Sequence, residues 1–352
     1  MAIQKINIET FVQMSKTHLV LDVRSPSEYA HAHIPSAVSL PLFSDEERKV
    51  VGTAYKQQSR EIAIKIGLDY FGPKMRGMVE EAERLTNVSE NEPHSSKKIL
   101  VHCWRGGMRS GGVAWLLDLY GFQVYMLEGG YKVYRNWIIQ QFEKPYHFKI
   151  VGGYTGSGKT LIIHQLAKQE EAILDLEAIA NHKGSALGAI GLSPQPSQEM
   201  FENLLGETLA NISDSEKPIF LEDESQRIGN LQIPLPLWQK MQVSKVYFVD
   251  IPFEERLDYL TKEYGIHPQQ ELVSAILRIQ KRLGGLETKN AINFLIENNH
   301  KESFRILLKY YDKWYEKGLY KRENAQEVIK IMKVEKVDTE RNVQLLMENS
   351  GE

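Results

Sequence analysis

The chain has 352 residues, of which 42% are hydrophobic and 25% charged; this composition is typical of soluble globular proteins, and the length allows two domains. The single cysteine excludes an intrachain disulfide within this sequence, and the net charge of −3 excludes a strong global attraction for polyanions. The opening MAIQKINIETF lacks the apolar core of a secretory signal, and no run of about 18 apolar residues predicts a membrane span. We therefore expect a cytoplasmic protein with no membrane partner.

The first part of the chain reads as an α/β domain over residues 1–141. Short apolar runs bounded by polar or glycine-rich turns predict three strands: HLVLDV (18–23), KILVHC (98–103) and QVYML (123–127). A long polar insertion, about 44–97, separates the first two runs and has a mainly helical pattern. The sequence thus predicts an α/β domain that carries a helical insertion.

A second α/β pattern starts after a linker at 142–147. HFKIVGG (147–153) predicts a strand that runs into a glycine loop, and three more strand candidates follow: EAILDLE (171–177), KPIFLEDES (217–225) and SKVYFVDIP (244–252). From about residue 254 the apolar periodicity is helical. We expect a parallel-sheet domain over 148–335 with a C-terminal helical part, followed by a polar tail, 336–352, that frays.

The single cysteine lies in VHCWRGGMRS (101–110), between an apolar run and two glycines. A thiol reacts as its anion, and backbone N–H groups of a glycine-containing turn form a concave site for negative charge. The following helix N-terminus adds its positive dipole end, and Arg105 and Arg109 can add full positive charge. We predict Cys103, Arg105 and Arg109 as catalytic residues. The alternative is a buried, inert cysteine.

GGYTGSGKT (152–160) fits the Walker A pattern, with a strand predicted before it and a helix after it. Its glycines let backbone N–H groups close around phosphate oxygens, while Lys159 supplies a point charge and Thr160 is a candidate Mg²⁺ ligand. The pattern indicates a diphosphate or triphosphate without specifying ATP. The predicted phosphate-binding residues are Gly153, Gly156, Ser157, Gly158, Lys159 and Thr160.

Acidic residues follow two of the predicted strands in this domain. Glu222, Asp223 and Glu224 occupy the position of a Walker B carboxylate, and Asp175 and Glu177 end another strand. We predict them as Mg²⁺ ligands or general bases, with a solvated acidic turn as the alternative. Because alternate strand residues point to opposite faces, Glu222 and Glu224 are expected on one face and Asp223 on the other.

Several further residues are candidates for contacts with RNA or phosphate. His182 and Ser185 lie in a polar turn that could equally be a helix cap, and Arg256 could equally form a surface ion pair. The segment KYYDKWYEKGLYKR (309–322) interleaves lysines with aromatic residues that could stack on unpaired bases; the alternative is a helix with a solvated basic face. The candidates are His182, Ser185, Arg227, Arg256, Lys313 and Lys317.

Three ordered segments of the first domain resemble rhodanese domains. They are the opening LDVRSPSEYAHAHIPSAVSLP (21–41), the loop HCWRGGMRS and the closing MLEGGYKVYRNW (126–137). The resemblance implies that Cys103 carries a transferable chalcogen and that Arg109 closes the loop around it. Asp22 and Arg24 more plausibly hold the fold together.

The rhodanese segments, together with GGYTGSGKT, DLEAIANHKGSALG and LEDESQRIG, resemble the bacterial tRNA 2-selenouridine synthase family over about residues 10–335. The resemblance implies conversion of wobble 2-thiouridine in tRNA to 2-selenouridine. It implies selenophosphate as selenium donor, with a selenophosphate-producing enzyme as its source. It also implies geranyl diphosphate as the substrate that gives an S-geranyl intermediate, no tightly bound cofactor, and a role for Mg²⁺ at the phosphate site.

These expectations leave the role of Cys103 and the class of activity open. Cys103 could carry selenium as a perselenide or help to expel the geranylated sulfur, and the Walker A loop could hold diphosphate without ATP hydrolysis. The alternatives are an ATP-dependent tRNA sulfurtransferase, a kinase fused to a rhodanese, and a non-enzymatic phosphate-sensing module. The presence of both Cys103 and Lys159 argues against the last of these.

Overall fold

The protein is described here from a computed structural model that covers residues 3–86, 97–212 and 217–351. The chain divides into two compact units, residues 1–140 and 141–352. Both units are built around a parallel five-stranded sheet flanked by helices, so the predicted α/β class is confirmed for each.

The first unit has strands at Gln4–Ile6 (β1), Leu19–Asp22 (β2), Ala37–Ser39 (β3), Lys98–His102 (β4) and Gln123–Leu127 (β5). Its helices are Ile8–Ser15 (α1), Pro26–His31 (α2), Asp45–Gln57 (α3), Arg60–Phe71 (α4), Met75–Thr86 (α5), Met108–Tyr120 (α6) and Gly130–Gln141 (α7), with a 3₁₀ turn at Gly72–Lys74.

The strand order of the first sheet is β1-β5-β4-β2-β3, and every pairing is parallel. The sequence predicted β2, β4 and β5 because each is a short apolar run; β2 and β4 are buried along most of their length, and β5 alternates buried and half-buried residues before its end. It missed the three-residue edge strands β1 and β3, which are too short to show a pattern. Parallel strands end at one edge of the sheet, and the end of β4 brings Cys103 to that edge.

The insertion predicted at 44–97 is helical where the structure describes it, and its residues 87–96 lie outside the described part of the chain. Helix α3 begins with a capping box, in which Ser44 and Glu47 satisfy each other's backbone N–H groups. Helices α4 and α5 turn apolar residues, among them Phe71 and Met78, into the same core as β2 and β4. The insertion is therefore an integral part of the first unit.

The second unit has strands at Phe148–Gly153 (β6), Ile173–Leu174 (β7), Ile219–Glu222 (β8), Arg227–Ile228 (β9), Leu231–Gln232 (β10), Lys245–Asp250 (β11) and Ile329–Lys333 (β12). Its helices are Lys159–Lys168 (α8), Leu176–Ala180 (α9), Gln198–Ile212 (α10), Leu235–Val243 (α11), Phe253–Tyr264 (α12), Gln269–Leu283 (α13), Gly285–Ile296 (α14), His300–Leu319 (α15), Ala325–Val328 (α16) and Thr339–Ser350 (α17).

The second sheet has the order β12-β11-β6-β8-β7 with parallel pairing throughout, and β9 and β10 form a separate antiparallel pair. The carboxyl ends of β6, β7 and β8 lie at one edge. The glycine loop therefore lies beside the acidic residues that follow β7 and β8. Helices α12 to α15 bury their own apolar cluster, which includes Leu257, Leu272 and Phe304, and form the predicted C-terminal helical part.

The expected fraying of the polar tail over 336–352 is wrong. Asp338 caps α17 by accepting a hydrogen bond from the backbone N–H of Arg341, and Val343 and Leu346 are fully buried. They pack in one core with residues of α8, β11 and β12, including Ile162. The overall polarity of the tail concealed an apolar pair spaced three residues apart, which is enough to hold a helix against a core.

None of the helices in the described part of the chain is long and apolar enough to cross a membrane.

Candidate functional site

The Cys103 loop joins the end of β4 to the start of α6 in the first unit. Cys103 is buried, with 3% of its surface exposed, and α6 begins five residues later. Gly106 adopts a left-handed backbone with φ of 62°, which lets the loop turn tightly around the sulfur. The strand, glycine turn and helix predicted from the sequence are thus present.

Hydrogen bonds around Cys103 favour its thiolate. The Ser110 hydroxyl donates to the Gly107 carbonyl oxygen at 3.1 Å and lies at hydrogen-bond distance, 3.2 Å, from Sγ. Burial raises the pKa of the Cys103 thiol. The Ser110 hydroxyl, the backbone N–H groups of Ser110 and Arg105, and the charge of Arg109 outweigh burial and hold that pKa below its ordinary value.

The two predicted arginines of the loop take different positions. The Arg105 side chain is exposed, and this residue stabilises the sulfur through its backbone N–H. Arg109 forms an ion pair with Glu28, with its Nη1 2.6 Å from Oε2 and its Nη2 3.3 Å from Oε1. Arg109 therefore adds positive charge near Cys103 while being held in place from α2.

Asp22 and Arg24 form a buried pair below the loop. The Arg24 guanidinium donates to both carboxylate oxygens of Asp22 and to the Ala32 carbonyl, and it lies 3.9 Å from the centre of the Tyr131 ring. Both side chains are at most 2% exposed. Their placement agrees with the structural role expected for them.

The closing segment docks on the Cys103 loop through its backbone. The N–H groups of Tyr131 and Lys132 donate to the carbonyls of Cys103 and Trp104 at 2.8 and 3.0 Å. A Cβ at Gly130 would lie 2.3 Å from the Cys103 carbonyl oxygen, so a side chain cannot fit there. The two segments that resemble rhodaneses in sequence are therefore in direct contact.

The glycine loop of the second unit joins β6 to α8. Gly156 and Gly158 have φ of 83° and 74°, and a Cβ at Gly156 would lie 3.0 Å from the Arg256 carbonyl oxygen. The Ser157 hydroxyl is buried without a hydrogen-bond partner. The loop presents backbone N–H groups at the start of a helix, which is the arrangement that binds phosphate.

Lys159 rests on the loop itself. Its ammonium donates to the Gly153 carbonyl at 3.0 Å and lies 5.6 Å from the centre of the Tyr315 ring. The Tyr315 hydroxyl accepts from the Gly153 N–H at 3.2 Å and donates to Asp223 at 2.7 Å. Tyr315 of α15, which the sequence reasoning did not select, links the glycine loop to the end of β8.

Thr160 contacts one of three glutamates whose pKa values are raised. The Thr160 hydroxyl donates to Glu177 at 2.7 Å. Burial raises the pKa of Glu177 against the opposing charge of Lys159. Burial together with neighbouring carboxylates raises the pKa values of Glu222 and Glu224 well above the ordinary range. The surroundings of these acids therefore favour their protonated forms more than water does.

The predicted separation of the acidic triplet agrees with the contacts that each member makes. Glu222 accepts from the Leu176 N–H at 3.2 Å, and Glu224 is a hydrogen-bonding partner of Glu177. Asp223 instead forms a buried ion pair with Arg322 and accepts from Tyr315, so its carboxylate is already engaged.

Asp175 caps α9 by accepting from the Ala178 N–H at 2.8 Å, and its other oxygen lies 2.7 Å from Nε2 of His164. Its role is thus at least partly structural. Within residues 3–86, 97–212 and 217–351, no group of three or more His, Cys, Asp or Glu side chains is arranged to hold a metal ion. Mg²⁺ coordination by Thr160 stays a prediction.

A cleft of about 1450 Å³ opens above the glycine loop within the second unit. Its walls contain the loop itself, Thr160, Glu177 and Glu224. Apolar and aromatic side chains line another part, among them Leu161, Leu192, Ile279, Tyr310 and Trp314. One cavity thus combines a phosphate-binding loop with an apolar wall.

Three of the predicted RNA or phosphate contacts, His182, Ser185 and Arg227, line this cleft. His182 is 8% exposed and its Nδ1 has no hydrogen-bond partner. The Ser185 hydroxyl accepts from the Leu187 N–H, and Arg227 donates to the Gly229 carbonyl, so each also stabilises its own turn.

The remaining three candidates take other positions. Arg256 is buried and donates to Asp312 and to the Thr155 carbonyl, so it holds the glycine loop from below rather than facing solvent. Lys313 and Lys317 are exposed on α15 and are not among the cleft-lining residues of the described chain. They correspond to the solvated basic face that was the alternative for this segment.

Comparisons with known proteins assign the family. Residues 146–341 match the family described as the tRNA 2-selenouridine synthase AAA domain, and residues 8–136 match the rhodanese-like domain. The chain belongs to the tRNA 2-selenouridine synthase family. The resemblance stated from the sequence motifs is therefore confirmed.

Relatives named tRNA 2-selenouridine synthase match 70% or more of the chain. The protein of Hydrogenovibrio crunogenus is 33% identical over 338 residues, covering 86% of this chain and 90% of that one. The protein of Sulfurovum sp. is 32% identical over 356 residues, covering 89% and 94%. The protein of Nitrosomonas europaea is 35% identical over 253 residues, covering 70% and 63%.

Sequence reasoning missed several residues that shape the two loops: Glu28, Ser110, Tyr315 and Arg322. Ser110 had a usable signal, because it stands in the first turn of a helix that starts just after the cysteine. The others come from distant segments, and no local pattern identifies them.

Proposed function

We propose that the chain converts 2-thiouridine at the wobble position of tRNA to 2-selenouridine as a transferase. Selenophosphate is the selenium donor, and S-geranyl-2-thiouridine, made from geranyl diphosphate, is the intermediate. The tRNA substrate and the selenated product are supported by the family and by its named relatives. The observation that carries the geranyl step is the cleft that unites a phosphate loop with an apolar wall.

In the first step the thiocarbonyl sulfur attacks C1 of geranyl diphosphate. The carbon–oxygen bond breaks, diphosphate leaves, and the N3 proton of the base is released. The glycine loop N–H groups and Lys159 hold the leaving diphosphate, where negative charge develops. Leu161, Leu192 and neighbouring apolar residues of the cleft accommodate the prenyl chain.

In the second step selenium adds at C2, and the carbon–sulfur bond breaks to release geranyl thiol. Water then splits the selenium–phosphorus bond and yields phosphate. We assign Cys103 to the release of the geranylated sulfur: its thiol gives a proton to the departing thiolate, and a proton from water later restores the thiol. Ser110, backbone N–H groups and the charge of Arg109 lower the pKa of Cys103 despite burial, so they stabilise the Cys103 thiolate that remains in between. A separate selenophosphate-producing enzyme must supply the donor.

The side chains near the glycine loop are compatible with Mg²⁺. Thr160 and Glu177 offer the oxygen donors that Mg²⁺ prefers, and it commonly takes one or two protein ligands plus phosphate oxygens and water. A cation there would relieve the repulsion that contributes to the raised pKa values of Glu222 and Glu224. Its chemistry would be to neutralise charge on the leaving diphosphate.

The test is nucleoside mass spectrometry on tRNA that carries 2-thiouridine, incubated with the pure protein, selenophosphate and Mg²⁺ but no ATP. Geranyl diphosphate is supplied in one arm and omitted in the other. We expect S-geranyl-2-thiouridine followed by 2-selenouridine only in the arm with geranyl diphosphate.

Two other outcomes would contradict parts of this proposal. Selenouridine that forms equally well without geranyl diphosphate removes the prenyl intermediate. Sulfur or selenium transfer that appears only after ATP is added assigns the glycine loop to ATP and favours an ATP-dependent sulfurtransferase.

A further inference from the structure

Helix α13 presents three basic side chains to the cleft: Arg278, Lys281 and Arg282. All three are exposed. Arg278 donates to the Ala186 carbonyl at 2.9 Å, whereas no ion pair among the described residues involves Lys281 or Arg282. Within the described part of the chain, no carboxylate lies at ion-pair distance from Lys281 or Arg282 at this edge of the cleft.

Several cationic side chains on neighbouring elements, unlike Lys281 and Arg282, form ion pairs with protein carboxylates. Lys183, which also lines the cleft, pairs with Glu263 at 2.5 Å, and Arg305 and Lys301 pair with acids of α12. Lys262 and Lys289 on the neighbouring helices also have no ion pair among the described residues, but they do not line the cleft, whereas Lys281 and Arg282 do. Free charge beside a phosphate-binding cleft favours an anionic ligand larger than the loop itself can hold.

Trp314 exposes an aromatic surface in the same cleft. Its side chain is 51% exposed, while its neighbours Tyr311 and Tyr315 on α15 point inward and form hydrogen bonds with Ala186 and Asp223. The Trp314 ring lies 6.4 Å from the Tyr310 ring, and the Lys317 ammonium lies 5.3 Å from its centre. An exposed indole beside free cations is the combination that binds unpaired bases and their phosphates.

His182 supplies an independent indication of a ligand. It lines the cleft, is 8% exposed, and its Nδ1 has no hydrogen-bond partner. The ring is confined, because a Cβ at Gly188 or at Gly229 would lie within 2.9 Å of it. Buried polar atoms normally have a hydrogen-bond partner, so the unpartnered Nδ1 marks this part of the cleft as a place where a bound molecule or water can supply one.

We propose that α13 and Trp314 form the RNA-binding wall of the cleft. Lys281 and Arg282 contact phosphates on either side of an unpaired nucleotide, and Trp314 stacks on its base, which brings that base toward the glycine loop. This inference rests on the proposed function and extends it by naming where single-stranded RNA enters. Of the two lysines predicted as contacts, Lys317 lies against the Trp314 ring without lining the cleft, and Lys313 does not line the cleft.

The first test measures tRNA binding without turnover, by fluorescence anisotropy of labelled tRNA with 2-thiouridine over a range of KCl concentrations. The variant is Lys281→Ala/Arg282→Ala. The matched control is Lys262→Ala/Lys289→Ala, which also removes two exposed cations of the second unit, but at positions that do not line the cleft. Circular dichroism verifies that both variants fold.

We expect the α13 variant to bind tRNA at least about tenfold more weakly. The slope of log Kd against log salt should fall by about 1.5, which corresponds to two lost phosphate contacts. Geranyl diphosphate affinity, measured by isothermal titration calorimetry, should change less than about twofold. Equal losses of tRNA affinity in variant and control, or no loss in either, would overturn the proposal. A parallel loss of geranyl diphosphate affinity would assign α13 to the small substrate.

The second test addresses stacking. Trp314→Ala should raise the KM for tRNA about tenfold with little change in the KM for geranyl diphosphate, and Trp314→Phe should restore most of the loss because it keeps an aromatic face. Equal defects in both variants would contradict stacking. Because tRNA binding is measured separately from product formation, a wild-type protein that binds tRNA through α13 but forms no selenouridine refutes the proposed function alone.

Discussion

The Cys103 loop and the glycine loop are both turns between a parallel strand and a helix, yet they are prepared for charge in opposite ways. The Cys103 loop already places donors around its sulfur, namely Ser110 and two backbone N–H groups, and Arg109 adds positive charge nearby. In the glycine loop Lys159 is engaged by the Gly153 carbonyl and the Tyr315 ring, and the nearby acids have raised pKa values. The surroundings of the first loop thus favour a negative charge on the protein's own sulfur, whereas under the proposed function the second loop receives the negative charge of a substrate.

The largest expected effect is on selenation, the step assigned to the Cys103 loop. Cys103→Ala should lower selenation by about three orders of magnitude or more, because it removes the group assigned to the second step, while S-geranyl-2-thiouridine still forms. Quantification of both nucleosides by mass spectrometry checks this. Selenation at the wild-type rate in this variant would remove Cys103 from the mechanism.

Lys159→Ala should give the converse result. We expect geranylation to fall about 100- to 1000-fold, since one charged donor to the leaving diphosphate is lost. Selenation of tRNA that already carries S-geranyl-2-thiouridine should continue. If geranylation is unimpaired, the diphosphate assignment is wrong; if both steps fail together, the comparison of two separate sites fails.

A smaller effect concerns the pH dependence of Cys103. Its alkylation by iodoacetamide rises with pH as the thiolate forms, and the midpoint should lie below that of an ordinary thiol, because the pKa of Cys103 is lowered in the fold. Ser110→Ala removes a donor to the thiolate, so the midpoint should move to higher pH and the rate at pH 7 should fall about threefold.

Ser27→Ala is the control for the cysteine titration. Ser27 lies in the same unit, but its hydroxyl donates to Asp45 and not to the sulfur. Its alkylation midpoint should match the wild type. An unchanged midpoint in Ser110→Ala would show that Ser110 does not stabilise the thiolate.

The smallest effect concerns stability near the glycine loop. Burial raises the pKa of Glu222 well above its ordinary value, so the stability it contributes is present below the ordinary pKa of a glutamate and is lost as pH rises through the raised value. The Glu222→Gln variant has no proton to lose at this position, so this pH-dependent loss of stability is absent from it. The melting temperature of this variant relative to wild type should therefore rise between pH 5 and pH 8, by a few degrees in calorimetry.

Glu297→Gln serves as the control for that measurement, because Glu297 is exposed at the end of α14. Its melting temperature should follow the wild type at every pH. A Glu222→Gln variant that also follows the wild type would mean that Glu222 is ionised in the folded protein.

The parts of these sites that the sequence predicted are local. Cys103 and its following helix, and Lys159 with its glycines, lie within about ten residues of a strand, so spacing alone places them at a sheet edge. Both loops took the strand, turn and helix context that the patterns indicated. The rhodanese-like resemblance is likewise carried by short ordered segments.

The parts that the sequence did not predict depend on distant partners. Glu28 reaches Arg109 across 81 residues, and Tyr315 reaches Gly153 across 162. No periodicity records such pairings, since each partner looks like an ordinary surface or core residue in its own segment. Helix α17 escaped notice for a related reason: its apolar pair has meaning only against the core it joins.

The two contacts of the Lys159 ammonium affect which anions the glycine loop would select under the proposed function. An anion that binds the Lys159 ammonium must replace its contacts with the Gly153 carbonyl and the Tyr315 ring. Binding therefore exchanges two contacts within the protein for new contacts with the anion. A monophosphate faces the same exchange as a diphosphate but offers fewer oxygens to the backbone N–H groups in return. Under the proposed function, this exchange favours a diphosphate over a monophosphate, because the diphosphate returns more hydrogen bonds for the contacts that Lys159 gives up.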